Sequence, residues 1–469
     1  MRASHDLSRV PVSFDDSNLV SHAGLLPAAA LWQRLGMPQT VGQGLRLHGS
    51  VGANADAKVA TVVFGMLAGA DSIDDLDVLR SGATGTLLGA AKAPSTIGTW
   101  LRSFTCGHVR QLDAVARELM SRCWAAGAGP HRLDELLIID CDSTITESHG
   151  LAKRGAAFGY TGVRGHHPLI ARVSEGGQAG WIAHTRFRRG NAAAGKGGGH
   201  FLAEALSRVR AAGSTGPLLV RGDSGFYDSR FIGAARRAGA AFSVTARIDA
   251  AVARAIAGIA EADWQPIPYW DAVEDDDGTT VASSAEVAET TYTAFTSTRA
   301  PVTARLVVRR VRRLRPAPSA GATASHGAGA SQQGQLDLVV WRHHAVLTDR
   351  VEPLLQVERE HRAHAVVEQS IAELKQGPLA HLPSGGFWAN AAWLTLAALT
   401  VNLARALATL AAHGLAAATL GTLQRTLLAV PARLARSARR YHLHLPTGWP
   451  WQTAWTWLAR RIHAMPLIT

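Results

Sequence analysis

The spacing of apolar residues up to about residue 130 predicts a helical N-terminal domain. Apolar residues recur there at intervals of three and four, the period of an amphipathic helix, between punctuating Gly and Ser residues. Ser95 or Thr96 is expected to cap the last helix, where Arg102 and Arg110 offer a basic surface to DNA. A capped helix in any bundle looks the same, so DNA-end binding and simple packing both stay open. The helices are predicted at 27–35, 56–67, 73–79 and 95–119.

Between residues 131 and 258 the pattern changes to short apolar runs that alternate with helical stretches, which is typical of a mixed α/β domain. Strands are predicted at 136–139, 168–173, 218–220 and 241–244, and helices at 201–211 and 229–238. The strands of large aliphatic residues suit a central sheet that is buried on both faces.

Residues 259–350 are rich in Thr, Val, Trp and Tyr, and they predict an antiparallel β unit inserted into the α/β domain. Its strands are expected at 290–295, 304–311 and 336–341. The Gly, Ala and Ser residues of 316–335 predict a flexible hairpin loop.

From residue 351 to the end the pattern is helical again, with helices predicted at 358–375 and 389–410. The second is apolar enough to raise the question of a membrane span, but Asn390, Asn402 and the following Arg405 favour a buried helix. The C-terminal tail places Tyr441, Trp449, Trp451, Trp455 and Trp457 among basic residues. They could stack on exposed bases, although packing against the body of the protein is the preferred interpretation.

The charge distribution favours a polyanionic partner. The chain has 469 residues with 48 Lys and Arg against 36 Asp and Glu, a net charge of +12, and no acidic residue follows Glu373. A solvated basic face is the alternative explanation. The three cysteines have no metal-binding spacing, and no apolar segment of a signal peptide occurs near the start. A cytoplasmic protein is expected, at the nucleoid when bound to DNA.

Three carboxylates are the strongest candidates for chemistry. Asp142 closes the apolar run 136–139, Asp223 follows the run 218–220, and Glu368 lies in the predicted helix 358–375. Carboxylates on a sheet edge and a neighbouring helix can bind Mg²⁺ or Mn²⁺, and two such ions can activate an attacking oxygen and stabilise a leaving one in phosphoryl transfer. Strand alternation points Asp140 the same way as Asp142, so spacing alone does not decide between them.

Each carboxylate also has a structural explanation. Aspartates at strand ends commonly cap loops, and Glu368 lies two turns from Lys375 on one helix face, as in an ion pair.

Several motifs resemble bacterial insertion-sequence transposases of the IS1380 type, within the IS4-like DDE group. The resemblance covers nearly the whole chain. It rests on the aspartate run 142–147, the glycine-rich block 159–169, the second aspartate block 221–227, and the N-terminal segments 14–25 and 73–80.

This resemblance implies an RNase H-like catalytic domain that is interrupted by a β-strand insertion. It implies that Asp142, Asp223 and Glu368 bind two Mg²⁺ or Mn²⁺ ions, and that Lys375 completes the signature of the glutamate helix. That helix usually carries tyrosine and arginine where this chain has His361 and His364.

The implied activity is cut-and-paste transposition. The enzyme excises a DNA element at its terminal inverted repeats and joins the free 3′-hydroxyls to target DNA, as a homodimer and without a membrane partner. The expected domains are an N-terminal domain (1–130), the first part of the catalytic core (131–258), the insertion (259–350), and the completion of the core with a basic C-terminal region (351–469). The expected DNA-backbone contacts are Lys375, Arg362, Arg164, Arg309 and Arg310.

Two alternatives remain at this point. One is a transposase-derived DNA-binding protein that no longer cuts, which the two histidines leave open. The other is a haloacid-dehalogenase-like phosphatase, because Asp140-Cys141-Asp142-Ser143-Thr144 also fits the DxDxT pattern of that group. In that case Asp140 would be the nucleophile, Asp142 the acid/base, and Asp223 with Asp228 part of the metal site.

Overall fold

The computed structural model of the protein describes residues 6–89, 91–159, 161–176, 179–193, 195–274, 278, 280–312, 341–438 and 440–468. The predicted loop at 316–335 and nearly all of the strand predicted at 336–341 lie outside the described residues, as do Tyr160 of the glycine-rich block and Arg313, a further arginine of the β unit that was expected to contact the DNA backbone.

Helices form most of the first 130 residues, as predicted, but the helix expected at 95–119 is two helices. Thr105 adopts an extended backbone and caps the second of them by a capping box with His108. The first begins at Pro94 with Ala93 before it, so the expectation of Ser95 or Thr96 as cap was wrong. The segment 73–79 forms a 3₁₀ helix. The elements are β1 (Leu19–Val20), α1 (Leu25–Arg34), α2 (Met37–Gly44), α3 (Ala55–Leu67), α4 (Thr84–Leu88), α5 (Pro94–Arg102) and α6 (Cys106–Ala125).

The α/β pattern predicted for residues 131–258 is confirmed. The structure adds one helix, Ala250–Ala257, and four strands that the sequence pattern did not predict: Thr146–Glu147, Ala157–Phe158, Arg164–His166 and Trp181–Arg186. The elements are β2 (Leu137–Ser143), β3 (Thr146–Glu147), β4 (Ala157–Phe158), β5 (Arg164–His166), β6 (Leu169–Glu175), β7 (Trp181–Arg186), α7 (Gly198–Ala211), β8 (Leu218–Gly222), α8 (Ser229–Arg237), β9 (Ala241–Ala246) and α9 (Ala250–Ala257).

The β-rich segment after residue 259 extends this sheet. Its strands β13, β14 and β15 pair antiparallel, and β15 then pairs with β9. The result is a mixed nine-stranded sheet of order β10-β13-β14-β15-β9-β8-β2-β6-β7, in which β2, β8 and β9 run parallel. The strands added to this sheet are β10 (Gln265–Pro266), β13 (Ala285–Ala294), β14 (Val302–Arg312) and β15 (Trp341–Thr348). Strands β11 (Val273–Glu274) and β12 (Thr280–Ala282) pair with each other in a separate two-stranded sheet.

The helix predicted at 358–375 is interrupted by a 3₁₀ turn, Ala363–Ala365, which separates α10 from α11. Helix α10 packs on β13 and β14, and α11 packs on β2 and β6, so this segment crosses one face of the sheet. The C-terminal elements are α10 (Leu354–Arg362), α11 (Val366–Lys375), α12 (Phe387–Ala411), α13 (Leu420–Leu423), β16 (Ala432–Ser437), β17 (Arg440–His444) and α14 (Gln452–Ala464).

Helix α12 is long and apolar enough to cross a membrane, but all of its residues from 389 to 411 are buried inside the protein. The Asn402 side chain makes hydrogen bonds of 2.8 and 2.9 Å to the backbone of Ile182, and Arg405 pairs with Glu373 of α11. The Asn402 amide is therefore hydrogen-bonded and the charge of Arg405 is paired within the protein, as a core helix requires. The prediction of a buried helix is confirmed.

The aromatic C-terminal segment is divided between core and surface. Trp449 donates a hydrogen bond to the Thr426 carbonyl oxygen, and Trp455 packs on the hydrophobic core, whereas Tyr441 and Trp457 are exposed. The preferred interpretation, packing on the body of the protein, therefore holds for Trp449 and Trp455 but not for Tyr441 and Trp457.

Candidate active site

Two neighbouring parallel strands bring Asp142 and Asp223 to one edge of the sheet. Cys141 of β2 lies opposite Gly222 of β8, so the next residue on each strand is an aspartate. Glu368 lies in the first turn of α11, which packs on β2. The three carboxylates line one cavity of about 270 Å³ between the sheet and the α10–α11 segment. The structure therefore brings together the three residues that the sequence singled out.

The charges in this cavity repel one another. Burial, followed by the negative charges of Asp223 and Glu368, raises the pKa of Asp142 to about 6, although the Ser143 N–H donates a 2.6 Å hydrogen bond to Asp142 Oδ1. A divalent cation would relieve this repulsion, and oxygen donors are the ligands that Mg²⁺ and Mn²⁺ prefer. Within the described ranges, no three His, Cys, Asp or Glu side chains are already gathered closely enough to enclose an ion. The donors fit a cation chemically, and the side chains would have to close around it.

Asp140 has a different environment, although it lies on the same strand and face as Asp142. It is completely buried, and Arg221 donates to its two carboxylate oxygens at 2.7 and 2.9 Å. Arg172 Nη1 lies 3.3 Å from Oδ2, and His364 Nδ1 lies 2.8 Å from Oδ1. Burial opposes ionisation, but the hydrogen bonds from His364 and Arg221 outweigh it and hold the pKa of Asp140 below its usual value. Asp140 therefore serves as the anion of a buried ion cluster.

His361 is held by two hydroxyl groups under the same helical segment. Its Nδ1 lies 2.8 Å from Ser243 Oγ and its Nε2 lies 3.0 Å from Thr245 Oγ1, both on β9. Burial, followed by the electrostatic influence of the nearby His364 and Arg221 side chains, lowers the pKa of His361 to about 3. His361 is therefore neutral at physiological pH, and both of its nitrogens are occupied.

A comparison with known families gives the decisive observation. Residues 3–467 match the family model described as transposase DDE domain group 1. The chain belongs to this family of DDE transposases. No curated protein matches the chain. Membership implies that the protein acts on DNA as a nuclease or strand transferase.

The transposase structure argues against the phosphatase alternative. Asp140, the nucleophile in that alternative, makes no contact with solvent and is surrounded by two arginines and a histidine. Asp228, assigned there to the metal site, instead accepts a hydrogen bond from the Arg230 N–H as the cap of α8.

Two of the arginines predicted to contact DNA lie at the wall of the transposase cavity. Arg309 of β14 and Arg362 of α10 both line it, together with Glu358, which bridges them. Arg309 Nη1 lies 2.8 Å from Glu358 Oε1, and Arg362 Nη2 lies 3.3 Å from Oε2. The two guanidinium groups share one carboxylate, so this wall keeps a positive charge beside the three acidic residues.

The other basic candidates lie elsewhere. Lys375 is exposed and lines a separate cavity of about 580 Å³ with Lys153. Arg164 donates hydrogen bonds to the carbonyl oxygens of Ser148, Gly150 and Leu151. Arg310 is buried against Trp264 and Trp341, and it pairs with Glu261 and Glu286.

Arg172, Arg221 and Glu358 are parts of the site that no sequence pattern indicated. Arg172 lies inside a predicted apolar strand and Arg221 directly follows another, and a charge buried in a sheet requires a partner. The sequence therefore indicates that both arginines need an acidic partner. It does not indicate that this partner is Asp140, because that requires the strand order β6-β2-β8.

Proposed function

We propose that this protein is an active insertion-sequence transposase of the IS1380 type, which cuts DNA at the ends of its element and joins the ends to target DNA. The observation that carries the proposal is that the carboxylates of Asp142, Asp223 and Glu368 line one cavity although 81 and 145 residues separate them in sequence. The inactive alternative predicts a displaced Glu368. Glu368 lines the same cavity as the two aspartates, which supports the active form, and the three side chains would close around the bound ion.

The proposed architecture is an RNase H-like core with an insertion. Strands β2, β6, β7, β8 and β9 with helix α11 would form the core. Strands β10 to β15 would form the insertion between the second aspartate and the glutamate. The domain limits proposed on this basis are 1–130, 131–258, 259–350 and 351–469. The position of β14 in the cavity wall suggests that the insertion contributes to the site as well as to the sheet.

The three carboxylates would hold the divalent ions, Mg²⁺ or Mn²⁺, and two ions are proposed. When bound, the ions would polarise the scissile phosphate and stabilise the charge on the attacking and leaving oxygens. The raised pKa of Asp142 fits this role, because carboxylates that repel one another without a cation bind it more strongly.

The residues of the protein would mainly position the DNA. Arg309 and Arg362 stand at the cavity wall, where their guanidinium groups can contact phosphates that flank the scissile bond. Lys375 would contact the DNA strand further from the three carboxylates. It is exposed and lines a separate cavity, so its ammonium group is accessible to a phosphate. We assign Arg310 and Arg164 structural roles, since their guanidinium groups are already bonded within the protein.

The proposed partners are the terminal inverted repeats of the element and the target DNA. Two ends must be held together for joining, so a homodimer in the synaptic complex is proposed. The N-terminal helices are proposed to bind the DNA ends.

The experiment is cleavage of DNA that carries the ends of the element, by the purified full-length protein, with Mg²⁺, with Mn²⁺ or with EDTA. The variants are Asp142→Asn, Asp223→Asn and Glu368→Gln. Asp134→Asn, an exposed aspartate before β2, is the matched control. We expect cation-dependent cleavage by the wild type and the control, and none by the triad variants, with end binding retained in all. Cleavage by a triad variant at the wild-type rate would refute the proposal.

A further inference from the structure

His364 connects the buried ion cluster to the cavity. It lies in the 3₁₀ turn Ala363–Ala365, four residues before Glu368, so the two side chains share one helical face. Its partner Asp140 lies two residues before Asp142 on the same face of β2. His364 thus stands between two of the proposed metal-binding carboxylates.

The hydrogen bond to Asp140 determines which nitrogen of His364 carries a proton. A carboxylate only accepts hydrogen bonds, so the nitrogen 2.8 Å from Asp140 Oδ1, which is Nδ1, must be the donor. In the neutral imidazole, Nε2 then carries the lone pair. The two arginines on Asp140 fix that carboxylate, which in turn fixes the orientation of the ring.

The other nitrogen of His364 is unused. Nε2 is buried and has no hydrogen-bond partner among the described residues, and the side chain lines the cavity that contains Asp142, Asp223 and Glu368. His361, three residues earlier, has both nitrogens bonded to hydroxyl groups. A buried polar atom without a partner is costly, and it calls for a ligand that the structure does not contain.

We infer that His364 Nε2 is a nitrogen ligand of the divalent cation in this cavity, beside Asp142 and Glu368. The arrangement is that of a metal-binding histidine whose other nitrogen donates to a carboxylate, which orients the ring and raises its basicity. Imidazole favours transition-metal ions over Mg²⁺, so the site would bind Mn²⁺ in preference to Mg²⁺. The inference rests on the proposed metal-dependent function.

The test is pulsed electron paramagnetic resonance of Mn²⁺ bound to the full-length protein without DNA. A directly bound imidazole couples ¹⁴N to the Mn²⁺ electron spin, and carboxylate ligands do not. We expect a ¹⁴N signal in the wild type that disappears in His364→Gln. His344, which also lines the cavity, provides the matched control, and His344→Gln should keep the signal. Asp140→Asn should lower the affinity for Mn²⁺ by about 10-fold to 100-fold.

Three results would overturn the inference. They are the absence of a ¹⁴N signal in wild type that binds Mn²⁺, a signal that persists in folded His364→Gln, and wild type that binds no Mn²⁺. If His364→Gln retained the signal but bound DNA ends more weakly, the histidine would instead contact phosphate. Cation-dependent cleavage that needs Asp142 would meanwhile leave the proposed function standing, so the two failures are distinguishable.

Discussion

Asp140 and Asp142 show how neighbours give one residue type two roles. Both lie on β2, on the same face and two residues apart. Asp140 is surrounded by Arg172, Arg221 and His364, and its pKa lies below the usual value. Burial, followed by the charges of the two neighbouring carboxylates, raises the pKa of Asp142 to about 6. Neighbouring cations favour the ionised form of a buried carboxylate, whereas neighbouring anions disfavour it, and a bound cation would relieve that cost.

The largest expected effect of separating the two aspartates is the loss of DNA cleavage when Asp142 is substituted. Asp142→Asn removes one charged oxygen ligand while keeping the shape of the side chain, so we expect a loss of cation-dependent cleavage of about 10³-fold or more. The fold should persist, because the substitution removes a repulsive charge. Cleavage rates on DNA that carries the element ends and the circular dichroism spectrum measure the two effects. A variant that cuts well would place the site elsewhere.

A substitution of Asp140, two residues before Asp142, is expected to lower the stability of the fold instead. Asp140→Ala leaves Arg172 and Arg221 buried without their anion, so the free energy of unfolding should fall by about 3–5 kcal/mol. Urea denaturation of Asp140→Ala and Asp142→Asn in parallel measures the contrast. Equal stability of the two variants would show that the ion cluster does not support the sheet.

The pH dependence of stability should separate the wild type from Asp142→Asn in the absence of a cation. Because the folded-state pKa of about 6 lies above the value of 3.8 that is usual for an aspartate in an unfolded chain, folded Asp142 keeps its proton where the unfolded chain has lost it. Wild-type stability should therefore fall, relative to the variant, as the pH rises from 4 to 6. The difference is at most about 3 kcal/mol, or on the order of 1–3 °C in Tm.

Thermal melts in EDTA at pH 4.0 and pH 7.5 check this expectation. The Tm of Asp142→Asn should exceed that of the wild type more at pH 7.5 than at pH 4.0. Addition of Mn²⁺ at pH 7.5 should reduce the gap, since the cation stabilises only the protein that binds it. A gap that is independent of pH would mean that Asp142 is not repelled by its neighbours.

The smallest effects concern Arg309 and Arg310, which are consecutive on β14 and point to opposite faces. Arg309→Gln should weaken DNA-end binding by about 3-fold to 10-fold and reduce the salt dependence by about one charge. Arg310→Gln should leave DNA binding unchanged and destabilise the fold by about 1–3 kcal/mol, because its partners Glu261 and Glu286 lose a hydrogen-bonded cation. Fluorescence anisotropy at several salt concentrations measures the binding. If Arg310→Gln weakened DNA binding and Arg309→Gln only destabilised the fold, Arg310 would be the DNA contact and Arg309 the structural residue.

Local patterns in the sequence predicted much of the secondary structure and singled out three acidic residues that line one cavity. The apolar runs before Asp142 and Asp223 are strands because buried aliphatic residues favour a central sheet, and a carboxylate at the edge of such a sheet reaches a cavity. The spacing left Asp140 and Asp142 equivalent. What distinguishes them is their cross-strand partners, since Arg172 and Arg221 lie opposite Asp140, and this pairing depends on tertiary structure.

Breaks within long helical patterns were also missed. The segment 358–375 has a continuous helical spacing, yet it contains the 3₁₀ turn that carries His364. At this turn the side chain of His361 bonds to β9 and that of His364 bonds to β2, and the spacing of apolar residues in one helix contains no information about such contacts between elements. Similarly, Arg310 was predicted to contact DNA, but it pairs with Glu261 and packs on Trp341, which are both distant from it in sequence.

The most direct test of the central claim, that these three carboxylates hold a cation at the phosphate that is cut, uses DNA with one non-bridging oxygen of the scissile phosphate replaced by sulfur. Mg²⁺ binds sulfur poorly and Mn²⁺ tolerates it, so the account predicts that the sulfur blocks cleavage in Mg²⁺ and that Mn²⁺ restores it in the wild type but not in Asp142→Asn. Equal inhibition by sulfur with either ion for both sulfur diastereomers, or undiminished cleavage in EDTA, would contradict it.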